Sequence, residues 1–315
     1  MKMNNIELDQ YTHFPVLYKE VIDTLDIKPN GIYVDCTLGG AGHSSLILKK
    51  LSNHGHLYCF DQDEMVIESA TQKLKAINNN FTIIHDNFVN IKAALASLGV
   101  QKVDGILYDL GVSSFQLDIP ERGFSYQNDG PLDMRMDQNN KLSAYDVVNT
   151  YSENDLRKII FDYGEEKNAG LIAKKIVKNR PINSTLELSD IIKQALPAAV
   201  LRKEKHPAKR TFQAIRIEVN KELIVFRESL LDALDLLNKD GIIVVLTFHS
   251  LEDRICKHVF KEKTSLDLPP DLPFIPEGYK IEYELVNHKA IQASDEELAL
   301  NNRSHSARLR AIKRK

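Results

Sequence analysis

The strongest constraint on the fold lies in residues 31–110, where short apolar runs alternate with amphipathic stretches of helical period. Residues 32–36, 57–60, 81–85 and 103–109 read as strands, and 43–51, 63–76 and 89–98 as the helices between them. Strand–helix alternation of this kind predicts a parallel sheet with helices on both faces and right-handed crossovers. Gly99 supplies a helix stop just before the fourth strand.

After Asp109 the rhythm breaks. Residues 111–140 are rich in Gly, Asp, Asn and Pro and hold no period, which reads as a functional loop or lid. Residues 144–200 are helical in pattern, with helices near 144–149, 153–161, 165–178 and 185–196, and with Pro181 and Pro197 as stops. A helix over 211–237 leads into an apolar strand at 241–247. A Pro-rich loop follows at 266–277, and further strands are expected at 281–288 and 306–312. The pattern predicts one α/β sheet domain split by a helical insertion: 1–139, then 140–205 as the insertion, then 206–315.

Charge and cysteine usage narrow the setting. Forty-one Lys+Arg against 44 Asp+Glu give a formal charge of -3, which excludes a generically basic coat but allows a local basic face. Cys36, Cys59 and Cys256 match no zinc spacing, so no metal is expected and a reduced, cytoplasmic setting fits. No run approaches the ~18 apolar residues of a membrane span, and Glu7 and Asp9 fall where a signal peptide needs an apolar core. No membrane partner is expected.

The first strand runs into Asp35-Cys-Thr-Leu-Gly39-Gly40-Ala41-Gly42-His43-Ser44. Glycines at a strand-to-helix turn let the backbone take unusual angles and let a ligand approach closely. A phosphate-cradling loop is excluded, because no Gly-Lys-Ser/Thr follows. Asp61 ends the second strand roughly 20 residues on, where an acid accepts the hydroxyls of a ribose. Two acids, Asp35 and Asp61, with a glycine turn suit a nucleoside with a cationic tail, and S-adenosylmethionine is such a ligand. NAD stays open from these residues alone.

Asp109 ends the fourth strand, and the carboxyl ends of parallel strands line the ligand crevice. It is the candidate acceptor for a proton from a methylated amine. In His249-Ser-Leu-Glu-Asp-Arg254, Ser250 is expected to cap a helix with Asp253 at its third position. That leaves His249, a second catalytic candidate, and Arg254 to face the crevice. Basic residues cluster three times: 201–210 with Lys209 and Arg210, 301–315 with Arg308, and Lys174, Lys175, Lys178 and Arg180 on the insertion. With Arg135 in the long loop, these are the candidate contacts to a phosphate backbone. Phe115, Gln116, Phe124 and Tyr126 offer stacking and polar groups for an unpaired base.

Eight segments then carry a resemblance: His13–Leu17, Gly39–Ser44, Asp104–Ser114, Glu121–Phe124, Gly130–Asp137, His206–Arg216, Phe248–Arg254 and Arg303–Arg308. In order along nearly the whole chain, they resemble the bacterial small-subunit rRNA cytosine-N4 methyltransferase family, RsmH, formerly MraW. The resemblance implies a class I S-adenosylmethionine-dependent, Rossmann-like methyltransferase with an inserted helical domain. It implies methylation of the N4 amine of a decoding-centre cytidine in 16S rRNA, within the small ribosomal subunit, by a cytoplasmic enzyme; a homodimer is allowed for. It also places cofactor contacts on Ala41, Gly42, His43, Asp61, Phe88, Asp109 and Gln116, beside the turn glycines Gly39 and Gly40.

Overall fold

The computed structural model of the chain describes residues 15–202, 206–265 and 280–315. The segment His13–Leu17 in part, the centre of the 201–210 basic run and the Pro-rich stretch 266–277 lie outside the described residues. The chain divides into two compact units, one of Met1–Gly111 with Val225–Lys315 and one of Val112–Ile224.

The first unit is built on a seven-stranded sheet of β1 (Ile32–Asp35), β2 (His56–Asp61), β3 (Phe81–His85), β4 (Val103–Asp109), β5 (Leu237–Thr247), β6 (Tyr283–Leu285) and β7 (Arg308–Arg314), in the order β3-β2-β1-β4-β5-β7-β6. β1 to β5 pair in parallel, as expected, whereas β7 runs antiparallel to β5 and β6 antiparallel to β7. The sheet is therefore mixed at one edge, where an antiparallel strand can leave one face open. Tyr33, Leu57, Cys59, Leu107, Val244 and Leu246 pack into one buried cluster, and Val34, Phe60, Ile106, Tyr108, Ile243 and Val245 into another. Successive strand residues point to opposite faces, so the central strands carry apolar residues on both and read as unbroken hydrophobic runs. Helices Gly42–Lys50 and Ser250–Thr264 follow β1 and β5. Cys36, Cys59 and Cys256 are free and buried. Among the described residues, no helix is long and apolar enough to cross a membrane.

The second unit is helical, with Ala144–Thr150, Glu153–Asp162, Ala169–Lys178, Thr185–Ala195 and Lys209–Asn220 around one core. It is larger than the 140–205 expected. Phe124, Leu132, Met134 and Met136 from the long loop join Ile160, Ile172, Ile192, Phe212 and Ile215 in that core. The loop showed no period because side-chain bonds to the backbone, rather than a regular ladder, hold most of it. The buried Arg122 donates to the carbonyls of Arg135 (2.8 Å) and Met136 (3.1 Å). Asn220 accepts from Met136 N–H at 2.8 Å and donates to the Met134 carbonyl at 2.8 Å. The single helix expected over 211–237 is two, Lys209–Asn220 and Glu222–Leu236, broken at Lys221 with φ 54.

Gly123 closes this loop with φ 70, and a Cβ there would collide with the Pro131 carbonyl oxygen and lie 2.8 Å from the Asp133 nitrogen. Gly123→Ala should lower unfolding free energy by about 2–4 kcal/mol, since left-handed backbone alone costs a non-glycine ~1–2 kcal/mol. Urea unfolding measures this, and a loss below ~1 kcal/mol would show that the loop yields.

Candidate active site

In the first unit, β1 and β4 are neighbours whose following segments leave toward different partners, and in such sheets the crevice at the strands' carboxyl ends takes the ligand. The turn after β1 is shaped by backbone angles. Gly39 has φ 45 and Ala41 φ 57, so two residues of the turn are left-handed, and the second carries a Cβ. Gly42 opens the next helix against Pro15, whose Cγ would lie 2.7 Å from an added Cβ. Lys73 donates to the Gly40 carbonyl at 2.9 Å.

Asp35, the first of the two acids, is engaged within the protein. It is buried, accepting from Thr37 N–H at 3.0 Å, from the Thr37 hydroxyl at 3.2 Å and from Ser44 Oγ at 2.5 Å. Burial raises its pKa, and those three donors oppose the rise. Thr37 Oγ1 in turn accepts from Asp109 N–H at 2.7 Å, which stitches the glycine turn to the end of β4. Thr37 is the residue that sequence reasoning missed. Its signal was its place two residues after an aspartate, the spacing of an Asx turn.

Asp61 accepts from Gly39 N–H at 2.8 Å through one oxygen and from Asp63 N–H at 2.9 Å through the other. Burial pushes its pKa up to about 6 against those two bonds. Each carboxylate oxygen keeps a second lone pair, so Asp61 can brace the turn and still accept from a hydroxyl. Phe88, in the 3-10 turn Phe88–Asn90 after β3, is half-buried and meets Tyr108 edge-on at 5.6 Å.

Asp109 and His43 are the centre of the arrangement. His43 is 4% exposed, and its Nε2 lies 3.6 Å from Asp109 Oδ2. Both ring nitrogens and Asp109 Oδ1 are buried without a hydrogen-bond partner. Burial lowers the imidazole pKa to about 4, opposed by the Val16 backbone beside the ring. Burial, then the charges of Asp35 and Glu252, pushes Asp109 up to about 8 although 28% of its side chain is exposed. The contact is therefore a neutral imidazole beside a carboxylic acid at neutral pH, not an ion pair. Buried polar atoms are rarely left unpaired, so two neighbouring side chains that carry three of them mark a site shaped for a polar or cationic ligand.

At the end of β5 the expected cap is corrected. His249, not Ser250, caps the helix Ser250–Thr264, and Glu252, not Asp253, is its capping-box partner. Glu252 accepts from Phe248 N–H at 2.7 Å and lies 3.0 Å from His249 Nε2. The ring expected to be at liberty for catalysis thus has a structural task. Gln116, in the other unit, is likewise half of a capping box with Ser113.

Two of the candidate RNA contacts are committed within the helical unit. Arg135 spends its guanidinium on Asp133 (2.7 and 2.9 Å) and on the carbonyls of Gln138 and Asn140. Arg180 donates to the carbonyls of Val148 and Tyr151 at 2.7 and 2.6 Å. Lys174, Lys178 and Lys209 are exposed, as is Arg210, which donates to the Glu165 carbonyl, while Lys175 is half-buried. In the sheet unit, Arg254 is exposed and Arg308 is held by Asp253 at 3.0 Å.

Comparison with known proteins identifies the family. A model of the MraW methylase family matches residues 10–315. The ribosomal RNA small subunit methyltransferase H of Streptococcus dysgalactiae subsp. equisimilis is 58% identical over 310 residues, covering 97% of this chain and 98% of the relative. The protein of the same description from Streptococcus pyogenes serotype M4 is 56% identical over the same length. A solved rRNA methylase from Streptococcus thermophilus aligns over 100% of this chain and 98% of its own, at 11% identity and a TM-score of 0.42.

The Asp109 carboxyl has a folded pKa of about 8 against an ordinary 3.8. The unfolded chain ionises it first, so its contribution to stability is whole below pH ~4 and is lost as pH rises toward 8. Asp109→Asn should therefore match the parent near pH 4 and exceed it by about 1–3 kcal/mol at pH 8. Urea midpoints across that range decide, and a difference that does not change with pH would contradict the assignment.

Proposed function

The chain belongs to the MraW methylase family, and we propose that Asp109 is its proton acceptor. The enzyme transfers a methyl group from S-adenosylmethionine to the N4 amine of a cytidine in 16S rRNA of the small ribosomal subunit. The observation that carries the site reading is the pairing of His43 with Asp109 at the ligand end of the sheet, two neighbouring side chains with buried polar atoms that lack a hydrogen-bond partner.

The residues present fit the cofactor. The left-handed turn at Gly39 and Ala41 admits a ligand close to the backbone, Gly40 and Gly42 keep that approach small, and Asp61 offers acceptor lone pairs for a ribose. Phe88 is a further proposed contact, through its apolar ring. When bound, the cofactor supplies an electrophilic methyl group on a cationic sulfonium. Asp109 loses its proton when a cation lies near it, because an opposite charge favours the carboxylate. The ionised carboxylate accepts a hydrogen bond from the cytosine amine and takes its proton as that nitrogen turns cationic, so most of the interaction is gained in the transition state. His43, neutral through burial, keeps a second positive charge away from the developing cation. His249 acts by fixing the helix start behind the site.

Lys174, Lys175, Lys178, Lys209 and Arg210 are proposed to hold the RNA backbone, since phosphate contacts position a nucleic acid without reading its bases. With small-subunit particles as substrate, the enzyme works in the cytoplasm. The test uses purified protein, particles lacking the modification and cofactor labelled in its methyl group. Label should appear on cytidine N4 after digestion of the small-subunit RNA. Bound cofactor without transferred label would instead leave a nucleoside- and RNA-binding module on a methyltransferase fold.

A further inference from the structure

One cationic cluster of the sheet unit has no part in the chemistry above. Asp253, in the first turn of the helix after β5, has a side chain only 10% exposed and binds two arginines at once. Arg310 takes it by a fork, Nε at 2.7 Å and Nη2 at 3.2 Å, and is itself mostly buried. Those contacts suffice to hold Asp253 ionised and anchored, and together with Arg308 they keep its pKa below the usual carboxylate range. Arg308 adds one further contact, Nη1 at 3.0 Å, and leaves its side chain 46% exposed. Its Nε and Nη2 meet no acceptor among the described residues. Two guanidiniums on one carboxylate leave a net positive charge, and an ion pair this exposed contributes little to stability.

Its place in the sheet gives that charge a direction. Arg308 begins β7 opposite Thr247, the last residue of β5, and Asp109 ends β4 opposite Leu246. Their backbones therefore stand at the same end of the sheet, two strands and roughly 10 Å apart at ordinary strand spacing, with Arg308 one register step on and its side chain on the opposite face. Beside Asp109, Asp35 on β1 and Glu252 after β5 lower the potential of the crevice, which suits a cation and repels a phosphate. Arg308 reverses the sign at the rim. A guanidinium tethered at one nitrogen and open at the others presents the planar edge that binds a phosphate by two parallel bonds.

Resting on the ribosomal-RNA reading, we propose that Arg308, tethered by Asp253, binds an RNA phosphodiester next to the target cytidine. Arg310 is the anchor of that tether and makes no RNA contact. The hook keeps the backbone outside the acidic crevice while the base enters it.

Binding of unmethylated small-subunit particles over roughly 50–200 mM KCl at fixed magnesium tests this, since each phosphate contact adds ~0.7–0.9 to the log–log salt slope. Arg308→Gln should weaken binding about tenfold at the lowest salt, as for one lost charged hydrogen bond, and reduce the slope by ~0.7–0.9. Cofactor affinity and the urea midpoint should stay at the parent values. Arg308→Lys should keep the slope, through its charge, and lose part of the affinity, through its lack of a fork. Unchanged affinity and slope in folded Arg308→Gln overturn the proposal, and so does a parallel loss of cofactor affinity. A parent protein that binds particles but transfers no methyl group would break the catalytic reading and leave this one standing.

Discussion

Everything at the ligand end of the sheet depends on one short chain of hydrogen bonds. Asp35, buried at the end of β1, holds Thr37 and Ser44, and the Thr37 hydroxyl accepts the Asp109 N–H at 2.7 Å. The bonds to Asp35 set the path of the glycine turn, and the last fixes that turn to the end of β4. The residue that would meet the amine is thus positioned through its backbone by the loop that would hold the cofactor. A parallel sheet permits this because β1 and β4 are adjacent while their crossovers diverge. Asp61 adds a second brace from β2 through Gly39 N–H.

The charges around this frame are arranged by distance from the centre. Inside, Asp35, Asp109 and Glu252 lie with the neutral His43, and burial first, then the charges of Asp35 and Glu252, raises Asp109 to about 8. Such a site is strained while it lacks a cation and is relieved when one is present, so stability has been given up where function needs a carboxylate with little competition. Further out, Asp253 is neutralised by Arg310 and exceeded by Arg308. One end of one sheet therefore offers an interior lined by acids and a positive rim, which matches a cationic cofactor and a polyanionic substrate.

Much of this was legible in the residues, for local reasons. The strands 81–85 and 103–109 begin and end where the apolar pattern does, although only 103–109 is buried along most of its length. The glycine turn, Asp61 and Asp109 follow from their places at strand ends. What stayed hidden depends on partners far along the chain. Met136 and Asn220 are 84 residues apart, and their bond draws the long loop into the helical unit. Arg135 and Arg180 read as free cations until their backbone acceptors are seen. The cap at His249 was misplaced by one residue, because serine is the commoner cap and an imidazole can accept the same N–H. The break at Lys221 was invisible, since lysine favours helix and only the fold makes it left-handed.

The account stands or falls on Asp109 as proton acceptor rather than cofactor anchor. Asp109→Asn keeps the size, the backbone bond to Thr37 and an acceptor oxygen, and removes the charge. Single-turnover methyl transfer, at saturating cofactor and small-subunit particles, separates the two roles. The predicted result is a transfer rate lower by ~10²-fold or more, the usual scale for a positioned proton acceptor, with cofactor affinity changed only modestly. A rate near that of the parent with weakened cofactor binding would contradict it and leave Asp109 as a binding residue.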